Sequence, residues 1–340
     1  MKKAVILFNL GGPDKLESVE PFLFNLFNDP AIISIPSIFR YPLAKIISKR
    51  RAPIAKNIYK EIGNKSPILE LTQDQAKSLE NTLAIKGDYK CFVIMRCWHP
   101  RATDVIKEVK KYNPEEIILL PLYPQFSAST SGSSIKEWND LCKKENYKVK
   151  TKTICCYPTE DSFLESHANL IKKTIKNLEN KDFKLLFSAH GLPEIKIKKG
   201  DPYQWQVEQT VEGIMSKLTN ENPDHIISYQ SRVGPLKWIG PSTDEIIIKY
   251  SKEKKGIVIV PVAFVSEHSE TLVELDIEYK KLAEKNGCSF YKRVPALGVE
   301  ENFIKGLTDL VLQEETRGNF VSSVMCSDKY KKCPCLAIRR

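Results

Sequence analysis

Short apolar runs rich in β-branched residues alternate along the chain with segments whose apolar positions recur every three or four residues. AVILFNL (4–10), CFVIMRC (91–97), EIILLPLYP (116–124) and KTICCY (152–157) are of the first kind. DQAKSLENTLAI and ATDVIKEVKKY, which fall between them, are of the second. The scheme repeats: KLLFSAH, HIISYQS and GIVIVPVAF read as strands, and QVEQTVEGIMSKL, TDEIIIKYSK and ETLVELDIEYKKLAEK as helices. Strands apolar on both faces and separated by helices predict parallel sheets covered on both sides. The expected fold class is therefore α/β, with two doubly wound halves. The boundaries fall at 1–158 and 159–314, with a cysteine-containing tail over 315–340.

In such folds ligands bind outside the carboxyl ends of the strands. The segments there are NLGGPD, MRCWHPR, PLYPQFSASTSGSS, SAHGLP, YQSRVGPLKWIGP and VSEHSE. They are rich in Gly, Pro, Ser, His and aromatics, and they predict a cleft shared by the two halves. The serine-rich loop offers hydroxyl and backbone donors to an anion. P-loop, GxGxxG, HExxH, GxSxG and CxxC patterns are absent.

At 340 residues the length agrees with two domains. The net charge of +10 favours acidic partners. No nucleic-acid-binding signature accompanies it, so nucleic acid is not an expected partner. No apolar run approaches the roughly 20 residues of a membrane span. The opening MKKAVILFNLGGP reads as a strand entering a turn. A cytoplasmic location follows as the expectation. The basic stretch KIISKRR follows the apolar FLFNLFNDPAIISIPSIFRYPLAK, which suits either a surface helix on anionic lipid or a lid packed over the body.

His190 ends a strand predicted to be buried and precedes Gly191, a place for a proton acceptor or metal ligand as well as for a packed core histidine. Glu270, Glu274 and Glu278 follow His268 at i, i+4, i+8 and form one column on a helix. Like charges at that spacing cost an isolated helix roughly 0.2–0.5 kcal/mol per pair. The helix dipole favours Glu267 and Glu270 but fades before Glu278. A solvated acidic face is one reading; the flanking Leu272, Val273, Leu275 and Ile277 favour another, in which the column handles a cation or protons.

The ordered set NLGGPD, SKRRAP, FSAHGLP, DPY, SRVGPLKWIGP and EHSETLVELDIEY resembles ferrochelatase, from Ala4 to about Val311. The resemblance implies two Rossmann-like domains facing a porphyrin cleft, the chelatase fold. It implies insertion of ferrous iron into protoporphyrin IX with release of two protons, the last step of haem synthesis. A non-catalytic haem or tetrapyrrole carrier and a cobalt or nickel chelatase are the alternatives on this scaffold. By the same resemblance His190 is the active-site histidine and Glu270 its acidic partner, the two being candidate ligands of the iron. His268 is their neighbour, and Glu274 and Glu278 continue the column. Leu10, Trp238 and Phe264 are expected against the macrocycle, Arg51, Tyr59 and Ser66 at the propionates, and Arg96 near the active site. Cys97 stands where a tyrosine is common in the family. Residues 22–51 resemble the family's apolar lid, which implies peripheral membrane contact; a homodimer is one option for assembly.

Nine cysteines scattered over this length do not form a secreted disulfide framework. Cys326, Cys333 and Cys335 are close in sequence, a spacing suited to metal or iron–sulfur chemistry. Some ferrochelatases carry a 2Fe-2S cluster on three C-terminal cysteines and one internal cysteine. Ser166 matches the animal internal ligand, so Cys155 or Cys156 is the expected substitute.

Overall fold

The computed structural model describes residues 1–179, 182–232, 234–313 and 319–339. The chain divides into two compact units, Met1–Tyr123, Ser127–Cys155 and Leu307–Val321 in the first, and Pro124–Phe126, Cys156–Gly306 and Ser322–Arg340 in the second. The expected boundary between 314 and 315 lies outside the described residues. The cysteine tail groups with the second unit rather than standing apart.

The first unit begins with β1 (Lys2–Asn9), followed by α1 (Val19–Phe27), α2 (Ser37–Lys60) and α3 (Ile68–Ala84). Then come β2 (Asp88–Met95), α4 (Ala102–Tyr112), β3 (Glu116–Pro121), α5 (Ser131–Lys144) and β4 (Lys150–Cys156). β1 pairs in parallel with β2 and β3, and β3 with β4. All six residues of β3 are buried, as a strand covered on both faces requires. Ala4, Ile6 and Phe8 from β1 pack with Ile106, Val109 and Trp138 from the covering helices. Each of the Ile, Val and Phe side chains contributes roughly 1.5–3 kcal/mol by leaving water.

In the second unit α6 (Asp161–Ile175) leads to β5 (Phe183–His190), α7 (Glu194–Lys198) and α8 (Tyr203–Ser216). The chain continues through β6 (His225–Gln230), α9 (Thr243–Lys252) and β7 (Gly256–Pro261). Next are a π-helical segment (Glu270–Glu278), α10 (Tyr279–Lys285), β8 (Tyr291–Arg293) and α11 (Glu301–Leu312). β9 (Phe320–Ser322) joins the first unit's sheet, whose order is β2-β1-β3-β4-β9; the second sheet runs β6-β5-β7-β8. The pairings of β5 with β6 and β7, and of β7 with β8, are all parallel. Sequence periodicity does not anticipate β8 and β9, which are three residues each.

The strand order decides where a ligand belongs. The connection leaving β5 runs to β6 on one side and that leaving β7 runs to β8 on the other, which makes the carboxyl ends of β5 and β7 the switch point where ligands bind in such folds. His190 is the last residue of β5, and the loop carrying His268 follows β7. The helix expected over ETLVELDIEYKKLAEK is two helices in one: its first nine residues take the wider π turn and only Tyr279–Lys285 is α-helical.

Candidate active site

His190 pairs with Gln230 across β5 and β6. The next residue, Gly191, donates its N–H to the Gln230 carbonyl at 2.9 Å. A Cβ at Gly191 would lie 2.9 Å from that carbonyl and 3.3 Å from the Trp238 ring, so glycine lets both close in. Trp238 is held by pairing of its loop with residues 192–194, as Ile239 N–H donates to Leu192 O and Glu194 N–H to Lys237 O.

The His190 side chain is 40% exposed, and its Nδ1 lies 2.9 Å from Glu270 Oε2. Glu274 follows in the column. Ser231 N–H donates to Glu274 Oε1 at 3.0 Å, and its hydroxyl donates to Glu274 Oε2 at 2.6 Å and to Glu270 Oε2 at 3.2 Å. Gln230 Nε2 donates to Glu270 Oε2 at 3.3 Å and to Glu274 Oε2 at 3.2 Å. The Tyr279 hydroxyl donates to Glu274 Oε1 at 3.0 Å. Ser231 adopts φ +60, a left-handed conformation uncommon for a residue with a side chain. Strain of this kind persists where the surroundings over-determine it, and here three hydrogen bonds do so. Glu278, further along, is exposed.

The π turn explains why four-residue spacing works. A π-helix has more residues per turn than the 3.6 of an α-helix, so every fourth residue stays closer to one line. Tyr279 N–H donates to Glu274 O, a five-residue step. The column thus runs from the His190 pair to solvent.

Burial pulls the His190 pKa down, but the Glu270 carboxylate outweighs it, and the net shift is upward. Burial pushes Glu270 the other way, and the facing His190 imidazolium overcomes that to hold it well below its ordinary value. Glu274 is pushed up to about 7, first by burial and then by the Glu270 charge. The site therefore holds an imidazolium–carboxylate pair beside a carboxyl poised to gain or lose a proton near neutrality.

His268 Nε2 lies 4.0 Å from Glu270 Oε1, its Nδ1 is 3.1 Å from Ser266 O, and its ring is 4.7 Å from that of Phe264. His190, Glu270, Glu274, His268, Phe264 and Trp238 all belong to the second unit, as expected of residues that follow β5, β6 and β7. Gln230, Ser231 and Tyr279 were not singled out from sequence. Their place at the end of β6 and one residue beyond the acidic column was the available signal.

In the first unit, Leu10 follows β1 and packs beside the cluster formed by Val19, Phe22, Leu23, Ala52, Tyr59 and Cys97. Tyr59 is buried in that cluster, and Cys97 is buried with its thiol pushed up to about 12 by burial. Ser66 is pressed against Gly12, where an added Cβ would come within 2.5 Å of it. Ser66 N–H donates to Pro13 O at 2.8 Å, which brings Ser66 to the loop after β1. Arg51 is exposed on α2, with its guanidinium 5.9 Å from the Phe27 ring centre.

Arg96, expected near the active site, is held by side chains of its own unit. Its Nε donates to Ser133 Oγ at 2.8 Å, while its terminal nitrogens lie 2.9 Å from Asp29 Oδ2 and 3.1 Å from Glu137 Oε1. Its side chain is only 14% exposed. Two carboxylates already match its charge, so it acts as a tie between the chain after α1 and α5.

The tail cysteines are buried. Cys326 and Cys333 are hydrogen-bonded partners, which with burial drives the Cys326 thiol pKa upward. Gln206 Nε2 donates to the sulfurs of both Cys156 and Cys326 at 3.3 Å. Cys155 ends the first unit and is covalently joined to Cys156, the first residue of the segment that opens the second. The sulfurs of Cys333 and Cys335, both in the tail, lie within 4.8 Å of one another. Buried cysteines at such separation form a donor set suited to soft or iron–sulfur centres.

A family model, Ferrochelatase, matches residues 2–315. The chain belongs to the ferrochelatase family. It is an enzyme that inserts iron into a porphyrin for haem synthesis. It is 65% identical to the ferrochelatase of Pelagibacter ubique over 99% of both chains. It is 49% identical to that of Caulobacter vibrioides over 98% of this chain and 97% of the other. Among solved structures, SirB from Bacillus subtilis with Fe3+ is similar at a TM-score of 0.54 and 14% identity, covering 92% of this chain and 94% of that one. That likeness bears on the fold alone and agrees with two parallel sheets flanked by helices. Neither alternative, carrier or cobalt/nickel chelatase, is favoured by these relatives.

Proposed function

We propose that the porphyrin is protoporphyrin IX, and that His190, Glu270 and Glu274 carry its two displaced protons away as ferrous iron enters. The observation that supports this most is the 2.9 Å His190–Glu270 pair with Glu274 beside it on the same Ser231 and Gln230 donors. A pyrrole N–H must give up its proton as the cation arrives. As the cation nears His190 and Glu270, its charge drives the His190 proton on to Glu274; the freed imidazole then accepts a pyrrole proton and passes it the same way, and the second pyrrole proton follows. Glu274, pushed up to about 7, passes protons on toward exposed Glu278. His268 supports Glu270 from the far side. Trp238, Phe264 and Leu10 hold the macrocycle by apolar contact, and Arg51, Tyr59 and Ser66 take the propionates. Bending the ring so that its nitrogens face the metal draws on roughly 1–5 kcal/mol of this remote binding.

Anaerobic haem formation by the purified protein tests the reading, with ferrous iron against cobalt and nickel and protoporphyrin IX against coproporphyrin. Preferred turnover of ferrous iron with protoporphyrin IX is expected. Faster turnover of coproporphyrin, or of cobalt or nickel, contradicts it.

Two further parts of the reading rest on their own observations. Cys326, Cys333 and Cys335, with Cys155 or Cys156 as the fourth ligand, are assigned to a 2Fe-2S cluster, supported by their burial and by the closeness of the Cys333 and Cys335 sulfurs. Such a cluster would supply one-electron chemistry. Gln206, donating to Cys326 Sγ, steadies a thiolate there. Helix α2 exposes Ile38 (75%) and Phe39 (65%) together with Lys45, Lys49, Arg50 and Arg51, which supports peripheral contact with an anionic membrane face. Among the described residues no helix is long and apolar enough to cross a membrane.

A further inference from the structure

The π-helical segment bearing Glu270, Glu274 and Glu278 needs a reason to stay π-helical. Such turns are rare, and they occur mostly as single-turn bulges inside α-helices. Here the segment extends over nine residues. Something outside the segment must hold it.

Strand β8 supplies the contacts. It is only three residues long and is the edge strand of its sheet, paired with β7 at Ile259↔Arg293. Successive side chains on a strand point to opposite faces, so Tyr291 and Arg293 share one. Both reach the π segment. The Tyr291 hydroxyl donates to the Leu275 carbonyl at 2.6 Å. Arg293 grips the next residue: its Nε lies 2.7 Å from Asp276 Oδ1 and a terminal nitrogen 2.8 Å from Asp276 Oδ2. This is the two-point fork that guanidinium makes with carboxylate and that lysine cannot copy.

The same guanidinium reaches the other end of the column. Its second terminal nitrogen lies 2.8 Å from Glu267 Oε1, which also accepts from Ala296 N–H at 3.0 Å. Glu267 precedes His268 and Glu270, whereas Asp276 follows Glu274. One buried side chain thus fixes points on both sides of the residues that face His190. We propose that Arg293, with Tyr291, is the positioning clamp of the acidic column, setting where Glu270 and Glu274 stand relative to His190 without touching the substrate. If the segment tightened to α-helix, each residue after Glu270 would turn about the axis. Glu274 would leave the Ser231 and Tyr279 donors, and Asp276 would leave the guanidinium. The clamp and the wide turn therefore require each other.

The proposal rests on the functional reading only for its effect on turnover; its structural half stands alone. Arg293→Gln, Arg293→Lys, Tyr291→Phe and Asp276→Asn are compared with wild type by hydrogen–deuterium exchange and by steady-state iron insertion. Ile259→Val, a mild core truncation opposite Arg293 in register, is the control for general loss of stability. Exchange at the Tyr279 amide, which closes the π turn on Glu274 O, is expected to accelerate in all four variants and to stay near wild type in the control. The kcat is expected to fall on the order of 10- to 100-fold in Arg293→Gln, the scale of an ångström-sized misplacement, with KM for porphyrin unchanged. Arg293→Lys keeps the charge without the fork and is expected to keep most of the defect. Should Arg293→Gln fail to fold, Tyr291→Phe and Asp276→Asn each remove one tie and carry the test. Folded variants with wild-type exchange at Tyr279 overturn the clamp whatever their activity. A wild-type protein without iron insertion would instead overturn the functional reading and leave the exchange result standing.

Discussion

Two histidines in the second unit lie in or beside its core and behave in opposite ways. His167, on α6, is fully buried with its ring edge-on to Phe163 at 4.9 Å, and neither ring nitrogen has a hydrogen-bond partner among the described residues. Burial alone acts on it and pulls its pKa down to about 3. His190 is only partly buried, its side chain 40% exposed, and a carboxylate that faces it at 2.9 Å outweighs desolvation and turns the shift upward. A carboxylate partner together with access to the surface makes a histidine useful for proton traffic, and His167 has neither. His167 is locked neutral at any working pH, whereas His190 holds a proton that an arriving cation can displace.

The comparison breaks most visibly at His190 itself. His190→Ala is expected to lower iron insertion by 10²–10⁴-fold, the range of a lost general acid–base group, while His167→Leu leaves kcat near wild type. Anaerobic haem formation measures both. Equal losses in the two variants would mean that the partner carries no weight.

Glu270→Gln comes next. It keeps the shape of the side chain and removes the charge that reverses the His190 shift. Turnover is expected to fall by somewhat less than for His190→Ala, and the pH–rate profile to lose its limb from the raised His190 pKa. A profile unchanged in shape would separate Glu270 from His190.

Glu274→Gln should act more mildly and mainly through pH. A group near 7 gives the profile a neutral-range limb, and the substitution is expected to flatten it. In wild type this raised pKa favours the folded state at low pH, an advantage lost as pH rises from the ordinary carboxylate range through about 7. The Glu270 shift has the opposite sign: its contribution is present above the ordinary carboxylate range and lost as acid protonates the pair.

The smallest effect on activity, and a measurable one on stability, belongs to His167. Its folded pKa lies below the unfolded value of 6.5, so its contribution is present above 6.5 and lost as pH falls toward 3. By linkage the loss over that window is of order 4–5 kcal/mol at most. His167→Leu is therefore expected to unfold at lower pH than wild type in an acid titration followed by circular dichroism. Unfolding at the same pH would show that the imidazole gains a partner on protonation.

Strand-end position and four-residue spacing were enough to make His190 and the glutamates legible in the sequence, because both are local patterns. The cysteine spacing drew attention to Cys326, Cys333 and Cys335 for the same reason. What joins them was not legible. Ser231 is one serine among many until the fold turns it between two carboxylates. The π turn depends on Tyr291 and Arg293, more than a dozen residues further on, and no periodicity within ETLVELDIEY announces it. Arg96 has a strand-end address like that of His190, yet Asp29 and Glu137 had already claimed its charge. Charge pairing over long sequence separation is a property of packing, and sequence position alone does not announce it.

Glu270 sets the protonation of His190. Nitrogen-15 NMR of labelled histidine, titrated across neutral pH in wild type and Glu270→Gln, measures it without reference to turnover. His190 is expected to titrate above 6.5 in wild type, and its pKa to fall in the variant as burial takes over. A His190 that titrates below 6.5 in wild type, or at the same pH in both proteins, would contradict it.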